Sequence, residues 1–220
     1  MSLTIACVWV QGHVPYGVAY VARLASMVRR HLARPYTFVC LTDQPRAVPA
    51  GVIPLAVPSP RPLKGWWSKI ELFQPGRFTG RVLFLDLDSL VMDQLDPIVD
   101  YPAPFALVPH TGKPGGTFPR AREGLTVVKR FNSSVMVWDA DTQVHLFTRW
   151  TPTVAARLHG DQDWIGEQLP DAAAMPMAWF PRVSQIARGP VPAEAKVVLC
   201  KKPKNVIAAH QWPWVQEAWV

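Results

Sequence analysis

The chain is poor in cysteine: Cys7, Cys40 and Cys200 are the only three in 220 residues, and each stands in an apolar string far from the others. An odd, scattered set builds no disulfide framework, and the lack of any Cys-x-x-Cys pair removes that route to a zinc or redox site. Buried free thiols in a reducing cytoplasm are expected instead. No apolar run approaches the ~20 residues of a membrane span, so no transmembrane segment is expected. The opening MSLTIACVWVQGH lacks a basic leader, and its apolar stretch is too short for a secretory signal. Gly-x-Gly-x-x-Gly, Walker A, His-Glu-x-x-His and Gly-x-Ser-x-Gly patterns are all missing. The phosphate loop, the zinc-protease helix and the nucleophile elbow are thereby excluded.

Acidic residues are also scarce, 16 against 23 lysines and arginines, which gives a net charge of +7. Such a balance favours polyanionic partners: nucleic acid, anionic lipid or phosphate-bearing small molecules. No charge run exceeds four residues, so the basicity is spread over the surface. Hydrophobic residues make up 49% and charged residues 18%, a composition that builds a real core.

Strand-like and helix-like segments alternate. LTIACVWV reads as a buried strand, and GVAYVARLASMVRRHLA as an amphipathic helix with arginines on its outer side. YTFVCLT is a second strand. The proline-dense stretch from Asp43 to Gly65 leaves room for one short strand around Val52 to Val57. SKIELF is expected to be helical, RVLFLDLD a strand, FALVP and SSVMVWD short strands. Helical periodicity recurs over Thr142 to Arg149, and DQDWIGEQL suits a helix opening on acidic residues. The alternation predicts an α/β fold with a mostly parallel central sheet flanked by helices. A single domain over 1–220 is expected, with a nucleotide-binding half (1–100) and an acceptor-side half (101–220) holding a mobile loop at 109–125. The tail, with three tryptophans, has no clean period.

The chemistry concentrates in RVLFLDLDSLVM. In an extended strand, residues two apart face the same side, which sets Asp86 and Asp88 together, about 6 to 7 Å apart along the backbone. The carboxyl end of a central strand is where open α/β sheets bind ligands. Two adjacent carboxylates repel unless one is protonated or a cation lies between them. A hard cation, Mn2+ or Mg2+, accepts such ligands and keeps positions open for substrate phosphates. The plain alternative is that both aspartates cap the following turn. VLFLDLDSLV also resembles the first motif of haloacid dehalogenase-like phosphatases, in which the first Asp is a nucleophile and the second an acid/base. In that family the motif follows the first strand, whereas here more than eighty residues precede it.

Three segments in order, SKIELFQPGRFTGRVLFLDLDSLVMDQLDPI, FNSSVMVWDA and DQDWIGEQ, resemble glycosyltransferase family 8, the group of glycogenin and bacterial lipopolysaccharide galactosyltransferases. The resemblance covers roughly residues 1 to 170. It implies a GT-A fold, a nucleotide-sugar donor that is usually UDP-linked, Mn2+, and transfer with retention. Under it, Asp86 and Asp88 hold the metal, and Lys69 lies near the donor sugar and phosphates. Asn132 and Ser133 line the donor sugar, and Asp161 and Gln162 flank the reacting carbon. Val8, Trp9 and Val10, with Tyr16, match the nucleoside pocket. The family's closing His-x-x-Gly-x-x-Lys-Pro segment is replaced by VVLCKKPKN. There Lys202 is placed to keep the phosphate role, Leu199 or Cys200 stands near the absent histidine, and His210 is the candidate third metal ligand. Implied partners are the nucleotide-sugar donor and an acceptor that is a glycan or a hydroxylated base in DNA. A non-catalytic nucleic-acid binder is the reading of a different class. Trp66 and Trp67 offer aromatic faces for a sugar or base, or ordinary packing; His110 and His159 lie beside the loop and the DQD segment.

Overall fold

A computed structural model describes residues 1–11, 16–57, 63, 65–110, 131–186, 189–200 and 211–220. Lys202, His210 and most of the 109–125 loop, including Lys113, Arg120 and Arg122, lie outside the described residues.

The first half delivers the expected strand–helix–strand order: β1 (Leu3–Trp9), α1 (Val18–His31), β2 (Thr37–Thr42), β3 (Ile53–Ala56) and β4 (Arg81–Leu85). Then come β5 (Leu90–Val91), α2 (Asp96–Val99), β6 (Phe105–Pro109) and β7 (Phe131–Asp139). The remaining elements are α3 (His145–Thr148), α4 (Pro152–Arg157), α5 (Asp161–Gln168), β8 (Ala173–Ala174), α6 (Val183–Ile186), β9 (Val197–Val198) and α7 (Pro213–Ala218). Seven strands form one sheet in the order β3-β2-β1-β4-β7-β6-β8, with every neighbouring pair parallel except the two that β7 makes. β5 and β9 form a separate antiparallel pair.

Strands covered on both faces carry apolar residues continuously, because successive side chains point to opposite sides. On β4, Leu83 and Leu85 join α1 and the C-terminal segment in one core, while Val82 and Phe84 join α3 to α5 in the other. The second core also takes in SKIELF, as part of a 3-10 helix over Gly65–Phe73 rather than an α-helix. Its residues from Trp67 to Phe73 are all buried. Four of the ring positions in that stretch and its surroundings, Phe73, Phe78, Phe105 and Trp138, pack against one another.

β1 leads to β2 and β3 on one side, and β4 lies on its other side. The strand order thus reverses between β1 and β4, and the carboxyl ends at such a reversal are where open α/β sheets accept ligands. β7 runs antiparallel and starts beyond the end of β4: Leu85 pairs with Val135, and the Asp86 amide donates to the Ser134 carbonyl at 2.8 Å. The first residues of β7 are thereby brought beside the residues that follow β4.

Candidate active site

β4 ends at Leu85, so Asp86 and Asp88 occupy a tight turn rather than the strand, closed by the Ser89 amide donating to the Asp86 carbonyl at 3.0 Å. Strand alternation is therefore not what sets the two carboxylates together. The turn does so, and both aspartates are held close to the core with Asp88 only 6% exposed.

Lys69 projects from the 3-10 helix into this turn. Its Nζ lies 2.9 Å from Asp86 Oδ1 and 3.5 Å from Asp161 Oδ2, and 3.4 Å from both the carbonyl and hydroxyl oxygens of Ser133. Burial penalises the ammonium, but Asp161 and Asp86 outweigh it and hold the Lys69 pKa above its ordinary value. Asp161 opens α5 and is itself buried; the Ser133 hydroxyl donates to its Oδ2 at 2.6 Å. A carboxylate in the first turn of a helix is favoured by the unpaired amides there. Asn132 Oδ1 accepts the Ser134 amide at 2.7 Å, which shapes the start of β7.

Asp88 adds Tyr16 to the cluster. The Tyr16 hydroxyl donates to it, and burial together with the Asp86 charge pushes its pKa up to about 7. Burial and the Asp88 and Asp86 charges raise the Tyr16 phenol in turn. Tyr16 is positioned by Trp9, whose Nε1 donates to the Tyr16 carbonyl at 2.9 Å. The Trp9 indole itself is core, 5% exposed, whereas Val8 and Val10 are half-buried. Gln162 is half-buried on the first turn of α5. Cys200 is buried, and burial and Asp88 raise its thiol pKa, so at neutral pH it is a protonated thiol. All three cysteines are free and buried, as expected.

Lys69, Asp86, Ser133 and Asp161 thus converge, and Tyr16 and Asp88 extend the cluster toward β1. Their charges do not balance. Among the described residues one ammonium, Lys69, stands with three carboxylates, of which Asp88 and Asp161 are buried and Asp86 is half-buried, and such an excess is relieved by a further cation or by a proton. Among the described residues no three His, Cys, Asp or Glu side chains form a cage for a metal ion. The donor set fits a hard divalent cation that takes two carboxylates here and draws its other oxygens from a substrate and water.

The sequence names Trp66 and His159 as candidates but gives no sign that they meet. Trp66 Nε1 donates to the His159 carbonyl at 3.0 Å, and the two rings lie 5.4 Å apart. Gly160, between His159 and Asp161, sits against the same indole: a Cβ there would be 2.8 Å from Trp66 Nε1. A tryptophan and a glycine so far apart in the chain give no local signal of this contact.

No protein-family model matches the chain, and no curated protein is similar to it in sequence. Among solved structures, the crystal structure of the galactosyltransferase LgtC in complex with donor and acceptor sugar analogues superposes with a TM-score of 0.66. The match covers 91% of this chain and 87% of that one at 13% identity. The chain therefore has the GT-A arrangement that LgtC has, a mostly parallel central sheet flanked by helices.

Proposed function

We propose that the chain is a metal-dependent glycosyltransferase, related to glycosyltransferase family 8, that moves a sugar from a nucleotide-sugar donor to a hydroxyl acceptor. The observation that carries this reading is the excess of carboxylate over ammonium, among the described residues, where Lys69 meets Asp86, Asp88 and Asp161 beyond the end of β4. The fold shared with an enzyme crystallised with donor and acceptor sugar analogues supports it, as do the three ordered sequence segments. The donor is a UDP-sugar, the cation Mn2+ or Mg2+, and the outcome retention. Residues 1–100 serve the nucleotide and residues 101–220 the acceptor within one domain.

Asp86 and Asp88 would hold the cation, which when bound neutralises the donor diphosphate and stabilises the charge it gains on leaving. Lys69, already fixed by Asp86 and Asp161, supplies a second positive charge to the same oxygens without reorganisation. Asp161, oriented by the Ser133 hydroxyl, accepts hydrogen bonds from donor-sugar hydroxyls beside the carbon that becomes cationic. Gln162 offers an amide next to it. Tyr16 braces Asp88 and faces the nucleoside side. Among the described residues of this cluster the carboxylates are taken up by Lys69, Ser133 and Tyr16, and the acceptor proton passes to the departing phosphate oxygen. The glycan acceptor is preferred to a hydroxylated base in DNA, because no observation favours DNA beyond the net charge. For the phosphatase reading, the would-be nucleophile Asp86 follows β4 and is already ion-paired with Lys69.

Thermal melts with UDP-glucose and UDP-galactose, each with Mn2+ or with EDTA, test the proposal. A rise that needs both nucleotide sugar and metal is expected; at a hundredfold excess over Kd it corresponds to about 2.7 kcal/mol. No shift with any nucleotide sugar, combined with Mg2+-dependent release of phosphate from p-nitrophenyl phosphate, would replace it with the phosphatase reading.

A further inference from the structure

We propose that Tyr20 is a further binding residue of this site, its hydroxyl donating to an oxygen acceptor that enters with the cation and the nucleotide; this rests on the transferase reading above. Tyr20 lies in the first turn of α1, and its amide donates to the Gly17 carbonyl at 3.0 Å. Its side chain belongs to the core on the α1 side of the sheet and is only 8% exposed. Two rings fix it: Tyr16 with centroids 4.9 Å apart and Trp219 at 5.1 Å, each edge-on at 64°. Edge-to-face pairs at such separations are favoured arrangements and hold a ring in one orientation. The Arg23 guanidinium lies 4.1 Å over Trp219 and steadies that ring in turn.

This packing leaves the Tyr20 phenol oxygen buried, with no hydrogen-bond partner among the described residues. The oxygen is nevertheless close to the charged cluster. After burial itself, the Asp88 carboxylate is the main cause of its raised pKa; Arg23 opposes the rise and Cys200 adds to it. Asp88 takes its hydrogen bond from the other phenol, Tyr16. A buried hydroxyl without an acceptor costs stability, and such a group in a folded protein calls for a reason. Phenylalanine would make the same ring contacts without that cost. The hydroxyl is therefore matched to an acceptor that arrives with a ligand. Beside Asp88 an anionic oxygen is repelled unless a cation lies between them. The acceptor is thus either a phosphate oxygen of the nucleotide or a water that enters with the cation. Tyr20 takes it at little entropic cost, because its ring is already held. The two tyrosines then divide the work: Tyr16 holds the carboxylate, and Tyr20 holds an oxygen of what binds there.

Tyr20→Phe isolates the hydroxyl, since the ring contacts are retained. Titration calorimetry of wild type and variant, with Mn2+ alone and with UDP in saturating Mn2+, reads binding; urea denaturation in EDTA reads the unloaded fold. The expected result is a metal-free Tyr20→Phe protein at least as stable as wild type, with affinity roughly tenfold weaker in one titration or both. Weakening already seen with Mn2+ alone assigns the acceptor as water, and weakening confined to UDP assigns a phosphate oxygen. Equal affinities in both titrations overturn the role of Tyr20 and leave the donor site standing. A clearly lower urea midpoint for Tyr20→Phe overturns it as well, because the hydroxyl then has a partner in the unloaded protein. Wild type that takes up neither Mn2+ nor UDP removes the transferase reading, and this assignment with it.

Discussion

Asp88 and Lys69 are neighbours in one cluster, yet removing their charges should move stability in opposite directions. Asp88 is buried beside Asp86, a like charge, and its hydrogen bond from Tyr16 survives replacement by an amide. Asp88→Asn is therefore expected to abolish transfer and the Mn2+-linked melting shift while the metal-free protein melts at the same temperature or a few degrees (roughly) higher. Lys69→Met does the reverse to the fold. It leaves Asp86 and Asp161 buried without their cation, a loss of the kind that costs about 3–5 kcal/mol. Chemical denaturation of both variants in EDTA checks the pair; a Lys69→Met protein as stable as wild type would show that the carboxylates are not held by this lysine. At this scale the sequence supplied the participants. Asp86 and Asp88 were legible because acidic residues embedded in apolar strings are costly and need a reason, whereas Lys69, Ser133 and Asp161 were named through the family resemblance. Their pairing was not legible, since the five come from four separate segments of the chain.

Elements were readable where periodicity is long. α1 spans Val18–His31 with Val21, Leu24 and Val28 buried, as its spacing predicts. The Gly65–Phe73 segment was read as helical but not as 3-10, because nearly all its residues are buried and no polar face sets a period. That difference matters, since the threefold turn is what aligns Trp66 with Lys69. The entry into β4 depends on Gly80, with φ +72° and a Cβ position 2.3 Å from the Ser2 carbonyl oxygen. The Gly80 carbonyl accepts the Ala140 amide at 2.8 Å, and the Ser2 carbonyl accepts the Arg81 amide at 2.9 Å, so the turn joins β1, β4 and β7. Gly80→Ala has both a left-handed backbone and a backbone clash against it, and should cost at least about 1–3 kcal/mol. Urea titration reads this directly; an unchanged midpoint would mean that Ser2 simply moves aside.

Across the whole molecule, the end of the sheet opposite the site is tied by ions. Arg81 donates to the carbonyls of Val99, Tyr101 and Ala103 and pairs with Asp139 at 2.9 Å. Arg34 clamps Asp96 and Asp100, each at 2.6 Å, and Lys196 pairs with Asp93. Hydrogen bonds from Lys196 and Arg34 hold Asp93 and Asp100 below the ordinary carboxylate pKa. A depressed acid stabilises the fold above its unfolded pKa, near 3.9, and that contribution disappears as pH falls through the lower folded value. Both carboxylates are largely exposed, so solvent limits each to well under ~1 kcal/mol. Arg34→Ala should therefore be less stable than wild type at pH 7, and the gap should close below about pH 4. Denaturant titrations at pH 7, 4 and 3 measure it; a gap that persists at pH 3 would assign the loss to packing of the arginine stem.

The sequence by itself determined the α/β class, the buried strands and the free thiols, because hydrophobic pattern is a local property. No helix among the described residues is long and apolar enough to cross a membrane, in line with the absence of long apolar runs. Only the tertiary structure decided that β7 runs antiparallel, that the two aspartates share a turn, and that Lys69 meets Asp86 and Asp161. It alone set Trp66 against Gly160. Each of these joins residues far apart in the chain, and such pairings are fixed by how elements pack rather than by anything within them.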